Sequence, residues 1–280
     1  MKQKITYLIF ITIALVVGIT SCTERIDIEL EEDFIKLAVE GYITPEAGNR
    51  YIRLTETSGY FSNTAAPAVS NAVVNVDNGV ESYTLQEDAV ESGTYIFPEE
   101  FIGEPETNYQ LTIELSEEIG EQTNYKAATY MPRRFDDIDS ITVEFNPNFN
   151  FWMVNIYAWE PPGKDFYMFN GLLNGILITD TISQVTVSND ELIDGNYLNG
   201  VTVMGFSEED IKPGDKFTLI LSTITEDYYN YIIELQTEIS MNIPIFSGPP
   251  ANVSTNVDNG AVGYFAAYPS TSSSTIVKAP

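Results

Sequence analysis

The chain has 280 residues, with 41 acidic residues, 13 basic residues and no histidine, which gives a formal net charge of −28 at pH 7. A chain this negative repels nucleic acid, because phosphate binding depends on Lys and Arg contacts, so we expect no nucleic-acid partner. Without histidine, neither a Ser-His-Asp nor a Cys-His catalytic system can form, and the usual histidine sites for zinc or iron are excluded.

The first 21 residues have the order of a secretory signal. Two lysines come first, an uncharged apolar run covers residues 5–19, and the small residues Thr20 and Ser21 follow. The apolar run has about fifteen residues, whereas a helix that crosses the hydrocarbon core of a membrane needs roughly twenty. We therefore predict a cleaved signal peptide over residues 1–21 rather than a permanent transmembrane span.

A single cysteine, Cys22, follows the predicted signal. Residues 19–22, Ile-Thr-Ser-Cys, resemble the lipobox of bacterial lipoproteins, in which an aliphatic residue and two small residues precede the cysteine that is lipidated. An ordinary signal peptide with a chance cysteine is the alternative, but no second thiol exists with which Cys22 could pair. The resemblance implies several acyl chains on Cys22, and two or more chains hold a protein stably at a membrane.

An acidic tether is predicted over residues 22–33. Its acids are Glu24, Asp27, Glu29, Glu31, Glu32 and Asp33. Repulsion between these charges keeps such a segment extended and solvated. The stretch also resembles the signal that, in Bacteroidota, marks lipoproteins sent to the outer face of the outer membrane. Removal of Lys2 and Lys4 with the signal peptide changes the net charge from −28 to −30, which favours solvation of the anchored body.

Helical periodicity is nearly absent beyond the tether, and short apolar runs alternate with Gly, Pro, Asn and Asp, a pattern typical of a β-sandwich or barrel. The β-prone stretches of the first part are residues 34–43, 51–57, 72–85, 93–97, 109–115 and 124–131. Asn78-Gly79 lies inside the third stretch and predicts a type I′ hairpin turn. Residues 34–132 are therefore predicted to form an immunoglobulin-like or transthyretin-like sandwich.

Pro132 cannot continue a β-ladder, so we place a domain boundary between Pro132 and Asp137. The second predicted domain, residues 137–280, has β-prone stretches at 140–146, 151–159, 165–173, 216–224 and 261–268. The stretch 151–159, FWMVNIYAW, is apolar on both faces, which predicts burial from both sides. The sequence STSSST at 270–275 is predicted to be a loose end.

One α-helix is predicted, over residues 226–240. Thr225 is its expected N-cap, and Glu226 and Asp227 lie near the positive end of the helix dipole. One helix face carries Tyr228, Ile232, Leu235 and Ile239. We expect this face to pack over the second sheet, with presentation to a partner as the alternative. The predicted class is thus all-β, with two sandwich-like domains and one packed helix in the second.

No recognisable catalytic pattern occurs in the chain, so we predict no enzyme, no cofactor and no metal site. Pairs of carboxylates could still catalyse glycoside hydrolysis, for which two acids suffice. No pair in this sequence has a recognisable context. Asp190, Glu191, Asp194 and Asn196 cluster in one stretch, yet Leu192 occupies a position where an EF-hand requires an oxygen ligand. An irregular calcium-binding loop stays open as an alternative.

Aromatic rings are the candidate contacts, because rings stack on sugar faces and on extended peptides. Tyr60 and Phe61 lie in a Gly-Tyr-Phe-Ser-Asn loop between strands and are the first candidates for contact with a ligand or partner. Tyr264 and Phe265 are the second pair, for which a place in the core of a strand is the stronger alternative.

Several segments together resemble a known family. They are the lipobox with its acidic sequel, LAVEGYIT at 37–44, RLTETSGYF at 53–61, DYYNYIIELQ at 227–236 and NVSTNVDNGAVGYFAAY at 252–268. The combination resembles a Bacteroidota outer-membrane lipoprotein family known as a domain of unknown function. Its members are often encoded beside TonB-dependent outer-membrane transporters, and the family supplies no catalytic residues.

The resemblance implies a lipid-anchored protein of the outer membrane that faces the cell exterior. It implies a non-catalytic accessory or binding subunit of a TonB-dependent uptake system, with the transporter as partner. A structural, adhesion or scaffold subunit of a cell-surface assembly, without a small ligand, is the alternative function.

Overall fold

The computed structural model describes residues 35–46, 50–58, 64–240 and 253–280. The predicted signal peptide, Cys22, the acidic tether, Tyr60 and Phe61 lie outside these ranges, so the predictions made for them stay predictions. Within the described ranges, no helix has the length and apolarity that crossing a membrane requires.

Residues 37–131 supply eight strands of a first sandwich. They are β1 (Leu37–Ile43), β2 (Tyr51–Glu56), β3 (Val73–Asp77), β4 (Ser82–Thr84), β5 (Gln86–Glu87), β6 (Thr94–Ile96), β7 (Thr107–Ile119) and β8 (Gln122–Met131). One sheet has the order β4-β3-β7-β8. The other has the order β1-β2-β6-β5 and is extended beside β1 by a strand from much later in the chain, β16 (Val262–Ala267). Side chains alternate between core and solvent along β1 and β7, as expected of sheets that bury one face.

A second sandwich follows. Its strands are β9 (Ser140–Asn146), β10 (Phe151–Trp159), β11 (Phe166–Leu173), β12 (Ile176–Leu177), β13 (Thr186–Asn189), β14 (Tyr197–Ser207), β15 (Lys216–Ile224) and β17 (Ser270–Ile276). The order β14-β10-β9 forms one sheet, and β12-β11-β15-β17 forms the other, with β13 also paired to β11. Trp152 and Val154 of one sheet pack with Phe217 and Leu219 of the other in a shared core. The predicted all-β class with sandwich-like architecture is therefore confirmed.

Strand β16 belongs by sequence to the second predicted domain and by pairing to the first sandwich. It runs parallel to β1, with Phe265 opposite Gly41. Gly263 has a φ of +92°, and a Cβ atom there would lie 2.0 Å from the carbonyl oxygen of Val39, so only glycine fits at this seam. After a link of two residues, Tyr268 and Pro269, the chain enters the second sandwich as β17.

By its internal contacts, Ile35–Pro280 forms one compact unit. The hydrophobic core of the first sandwich includes Val257 and Phe265, which lie beyond the predicted boundary in sequence. The domain limits 34–132 and 137–280 stay a prediction.

Helix α1 (Glu226–Ser240) has the predicted bounds. The hydroxyl oxygen of Thr225 accepts a hydrogen bond from the backbone N–H of Tyr228 at 3.2 Å, as expected of an N-cap. Ile232 is fully buried and packs in one cluster with Phe166 and Met168 of β11. The expected packing over the second sheet is therefore confirmed.

Strand β10 corrects the expectation that residues 151–159 are buried from both sides. Trp152, Val154 and Ile156 are buried, but the opposite face is only half-buried and Trp159 is 65% exposed. One face of its sheet is therefore only partly covered, and the apolar residues on that face reflect β-propensity as much as core packing.

The tail was predicted wrongly as a loose end. Ser270–Ile276 forms β17 and pairs antiparallel with β15, with Ser270 opposite Ser222 and Ile276 opposite Lys216. A run of Ser and Thr gives no apolar alternation, so its pairing depends on the edge that β15 offers rather than on its own pattern.

The Asn78-Gly79 hairpin forms, but not through the predicted turn. Gly79 has a φ of +85°, whereas Asn78 is not among the described residues with positive φ, and a type I′ turn requires both. The side-chain oxygen of Asn78 instead accepts hydrogen bonds from the N–H groups of Val80 and Glu81, which closes a wider loop between β3 and β4.

Candidate functional site

A cleft of about 1430 Å³ lies between the two sandwiches. Its walls come from the outer faces of β1 and β2, from β11 and β17 of the second sandwich, and from helix α1 and strand β16. Strand alternation explains the first wall, because residues that flank the inward-pointing Val39 and Ile43 of β1 must point away from the core.

Four tyrosines form a row along the cleft, here named the tyrosine row. Its members are, in spatial order, Tyr42, Tyr268, Tyr228 and Tyr231. The ring centroids of successive members lie 5.7, 6.0 and 6.0 Å apart, and the ring planes differ by 22°, 9° and 13°. The row brings together β1, the segment after β16, and two helix residues three positions apart, which share one face of α1.

Two further tyrosines flank the row. Tyr51 of β2 contacts Tyr42 edge to face at 5.5 Å, and Tyr264 of β16 lies 5.0 Å from Tyr228 and 4.9 Å from Tyr231. Arg53 lies over the ring of Tyr51 with its guanidinium carbon 5.4 Å from the centroid. Aromatic side chains thus meet here from one sheet of the first sandwich, from the segment after β16 and from the helix.

The part of the fold that the structure describes does not use the hydroxyl groups of the tyrosine row. Among the described residues, no hydrogen bond joins the hydroxyl of any row member to another group, whereas the Tyr51 hydroxyl donates to Glu40 at 3.1 Å. The row hydroxyls are also not sealed from solvent, since none is among the buried unpaired atoms of the described chain. The row therefore presents four free donor and acceptor groups.

Burial keeps these phenols protonated. Desolvation raises the pKa of each row member above its usual value of 10.0, and the carboxylate of Glu40 adds to the shift for Tyr42 and Tyr231. Burial also raises the pKa of Tyr264 to about 12. All of these groups are neutral at physiological pH, so they can donate as well as accept hydrogen bonds.

The facing wall combines apolar side chains, such as Met168 and Ile220, with polar groups. The hydroxyl of Thr179 donates to the side-chain oxygen of Asn170 at 2.8 Å, and the hydroxyls of Ser222 and Ser270 lie 2.8 Å apart. Within the described residues, the side-chain amide nitrogen of Asn170 makes no hydrogen bond.

Five charged residues line the cleft: the basic residues are Lys36 and Arg53, and the acidic residues are Glu40, Glu46 and Asp180. Arg53 forms an ion pair with Glu91 at 3.0 Å, and Glu46 forms one with Arg134 at 2.9 Å. Such exposed pairs contribute little to stability. The lining as a whole carries two positive and three negative charges, which nearly balance. The cleft is suited to binding a polar, neutral molecule.

The second predicted aromatic pair is divided by the structure. Phe265 is fully buried in the core of the first sandwich, whereas Tyr264 is 7% exposed and lines the cleft. Sequence reasoning did not identify the tyrosine row. A partial signal was present in the predicted helix face that contains Tyr228, but the approach of Tyr42 and Tyr268 depends on tertiary contacts.

A separate group of three carboxylates lies near the stretch that the sequence marked as an alternative calcium loop. One oxygen each of Glu160, Asp190 and Asp194 lies within 4.8 Å of the others, and the first two residues are almost fully buried. Carboxylate oxygens are the ligands that calcium prefers, so this set is where a cation would bind if the chain held one.

Protein donors already satisfy these carboxylates. Glu160 accepts hydrogen bonds from the Tyr167 hydroxyl at 2.7 Å and from the Gly195 N–H. Asp190 accepts from the Asp165 N–H at 2.7 Å, and Asp194 from the N–H of Gly163 at 2.9 Å. Burial raises the pKa of Glu160, although its two hydrogen bonds oppose the shift. Through these hydrogen bonds the three acids connect the loops around residues 160–165 and 190–196 and stabilise them.

Comparison with known proteins gives a family but no activity. The family described as Domain of unknown function (DUF4249) matches residues 23–274. No curated protein matches the chain. A solved structure titled "Cytokine receptor complex - Crystal form 1A" is similar at 10% identity over 67% of this chain and 82% of that one, with a TM-score of 0.24. A likeness of that extent supports no inference about function. Because the family match spans nearly all of the chain beyond the predicted signal, the chain belongs to the family described as Domain of unknown function (DUF4249).

Proposed function

We propose that the chain is a non-catalytic, lipid-anchored binding protein of the outer surface of the outer membrane. In this proposal it is an accessory subunit of a TonB-dependent uptake system and captures a ligand for the transporter. The cleft with its tyrosine row is the observation that carries the binding role, because its free hydroxyls and half-buried rings offer ligand contacts that the fold does not use.

The anchoring part of the proposal rests on the sequence. Residues 19–22 resemble a lipobox, and the acidic tether that follows would hold the body away from the membrane. A net charge of −30 after signal removal disfavours contact with anionic lipid. The transporter partner rests on the resemblance to lipoproteins that are encoded beside such transporters.

The anchor is tested with a Cys22→Ser variant in the native host. We expect the wild-type protein to incorporate labelled fatty acid, to sediment with envelopes and to be removed from intact cells by protease. The variant should do none of these while keeping its fold, because Cys22 lies outside the described sandwiches. A variant that still sediments with envelopes contradicts the anchor.

The uptake role is tested by deleting the gene and measuring growth and uptake on separate nutrient classes. We expect a defect on one class, restored by the wild-type gene and not by the Cys22→Ser gene. Purification from solubilised outer membranes should also recover a β-barrel transporter. Normal uptake of every nutrient class by the deletion strain would overturn the accessory role.

An exposed aromatic pair favours the alternative, a scaffold or adhesion subunit. Trp159 is 65% exposed, and its ring lies 5.2 Å from that of Tyr197, which is 39% exposed. Exposed Trp and Tyr are the residue types that most often dominate protein interfaces. A Trp159→Ala strain that loses cell-surface assembly but retains uptake would support this second function.

A further inference from the structure

We propose that the cleft takes a neutral oligosaccharide and that the tyrosine row holds it through its free hydroxyl groups and the exposed parts of its rings. This inference names the ligand class of the binding protein proposed above and rests on that function. It follows from the hydrogen-bonding state of the row, the charge balance of the cleft and the state of the nearest sheet edge.

The four hydroxyls of the tyrosine row have the hydrogen-bonding state that a polyhydroxyl ligand would satisfy. A half-buried tyrosine usually finds a partner for its O–H, because a polar group removed from water without a hydrogen bond costs free energy. Four such hydroxyls lie side by side in one cleft with no partner among the described residues. A ligand that carries many hydroxyl groups of its own matches them, since a hydroxyl is both donor and acceptor.

The charge balance of the cleft favours a neutral ligand. The row phenols stay protonated, so they provide no anionic oxygens for a metal ion or an ammonium group. The lining carries basic and acidic residues in nearly equal number, two against three, and Arg53 and Glu46 among them are paired with Glu91 and Arg134. The net charge of the chain repels anions at long range. A neutral polyhydroxyl compound has no such penalty.

An extended peptide is the competing ligand, because tyrosine-rich clefts also bind peptides that add a strand to an open sheet edge. The outer edge of β16 borders this cleft, but side chains of the same protein already bond several of its backbone groups. The side chain of Asn256 accepts from the Phe265 N–H at 2.9 Å and donates to the Phe265 carbonyl at 2.7 Å. The Thr255 hydroxyl donates to the Gly263 carbonyl at 2.7 Å. Three backbone groups of this edge are therefore already bonded, which leaves a peptide fewer groups with which to pair.

The facing wall completes the argument. Asn170 offers a free side-chain amide, and Ser270 and Ser272 add hydroxyls from β17. Amide and hydroxyl groups on one side and aromatic rings on the other are complementary to a sugar, which has polar edges and an apolar face. The volume of the cleft, about 1430 Å³, accommodates a chain of several sugar units.

The experiment uses the lipidated protein, purified in a detergent without a sugar headgroup. It is applied to an array of neutral oligosaccharides, sialylated oligosaccharides and unstructured peptides, and positive probes are titrated by calorimetry. The test variant is the quadruple substitution Tyr42→Phe, Tyr228→Phe, Tyr231→Phe and Tyr268→Phe, which keeps every ring. The matched control is Tyr130→Phe, at a 40% exposed position outside the cleft.

We expect at least one neutral oligosaccharide to bind and its sialylated counterpart to bind more weakly. Each lost hydroxyl should weaken binding about two- to tenfold, so the quadruple variant should bind at least about 16-fold more weakly. Tyr130→Phe should bind like the wild type. The melting temperature of the quadruple variant should not fall, because the removed hydroxyls have no partners, so weaker binding would not reflect unfolding.

The inference is overturned if no neutral oligosaccharide on the array binds, if peptides bind in their place, or if the quadruple variant binds as tightly as the wild type. The proposed function fails separately. Absence of sugar binding together with an uptake defect of the deletion strain rejects the ligand class and leaves the accessory role standing. Sugar binding together with normal uptake supports the ligand class and rejects the accessory role.

Discussion

Two groups of tyrosines in this protein differ in what their hydroxyl groups do. In the sandwich cores, Tyr95 donates to the Val69 carbonyl at 3.0 Å and accepts from the Ala72 N–H at 2.9 Å. Tyr109 accepts from the Glu104 N–H at 2.6 Å. These core tyrosines are at most 1% exposed, and their hydroxyls connect strands to the loops that pass over them.

In the tyrosine row, by contrast, each side chain is half-buried, and no hydroxyl forms a hydrogen bond with a described residue. Core tyrosines are explained fully by packing and hydrogen bonding within the fold. The row is explained only in part, since packing accounts for the rings and leaves the hydroxyls unassigned. The comparison separates tyrosines that stabilise the fold from those that remain free to bind.

The largest effect is expected from removing a core ring. Tyr95→Ala should lower the free energy of unfolding by about 3–5 kcal/mol, because it creates a cavity and leaves two backbone groups unpaired. Chemical denaturation measures the change. Tyr130→Ala, at an exposed position, is the control and should change stability by less than about 1 kcal/mol. Equal losses in both variants would contradict the assignment of Tyr95 to the core.

Removing only the hydroxyl should distinguish the two groups more directly. Tyr95→Phe should cost about 1–3 kcal/mol, since the Ala72 N–H and the Val69 carbonyl lose their partner in a buried site. Tyr268→Phe should cost nothing measurable, because its hydroxyl has no partner in the described chain. A clear loss of stability in Tyr268→Phe would show that the row hydroxyls do have a structural role.

Alkaline pH tests the protonation of the row with a smaller effect. The folded pKa of each row member lies above the unfolded value of 10.0, so the stability that this difference contributes is fully present below pH 10. It is lost as pH rises above 10 through the folded pKa values. The quadruple Phe variant should therefore lose less stability than the wild type between about pH 9 and about pH 11. Parallel stability curves would contradict the raised pKa values.

The smallest effect is expected from Glu160→Gln. The buried carboxylate of Glu160 accepts a hydrogen bond from the Tyr167 hydroxyl at 2.7 Å. Burial raises the pKa of Glu160, so the folded state holds its proton more tightly than the unfolded state. Stability from this group is therefore present below pH 4.5 and is lost as pH rises through the folded pKa. Glu160→Gln can still accept from the Gly195 N–H through its oxygen, and its amide can donate to the Tyr167 hydroxyl, which reverses the direction of that hydrogen bond.

Relative to the wild type, Glu160→Gln should gain stability as pH rises above 4.5. The reference for this comparison is Glu160→Ala, which leaves Tyr167 and Gly195 without an acceptor and should destabilise the fold at every pH. Denaturation curves at several pH values give both results. A Gln variant whose difference from the wild type does not change with pH would contradict the shift.

Much of the fold could be predicted from local patterns. Strands β9, β10 and β15 and helix α1 have the predicted bounds, because apolar alternation and the Thr225 cap are local signals. Strands β14 and β17 were not identified. The first contains Asn199-Gly200, which resembles a turn, and its register with β10 shifts twice; the second has no apolar alternation.

The candidate site could not be predicted for a different reason. The row is assembled from β1, the segment after β16 and helix α1, which are distant in sequence and meet only through the fold. Composition showed 17 tyrosines without showing which of them converge. Asn78 illustrates the same limit on a smaller scale, because its side chain rather than its backbone conformation closes the hairpin loop.

The parallel pairing of β1 with β16 has a consequence for biogenesis. Strand β1 is synthesised early, yet its neighbour on one side comes from residues 262–267. Until that segment arrives, the nascent chain carries an open apolar strand edge, the kind of surface on which chains aggregate. Folding in the cell should therefore require a chaperone that protects this edge until residues 262–267 have been synthesised.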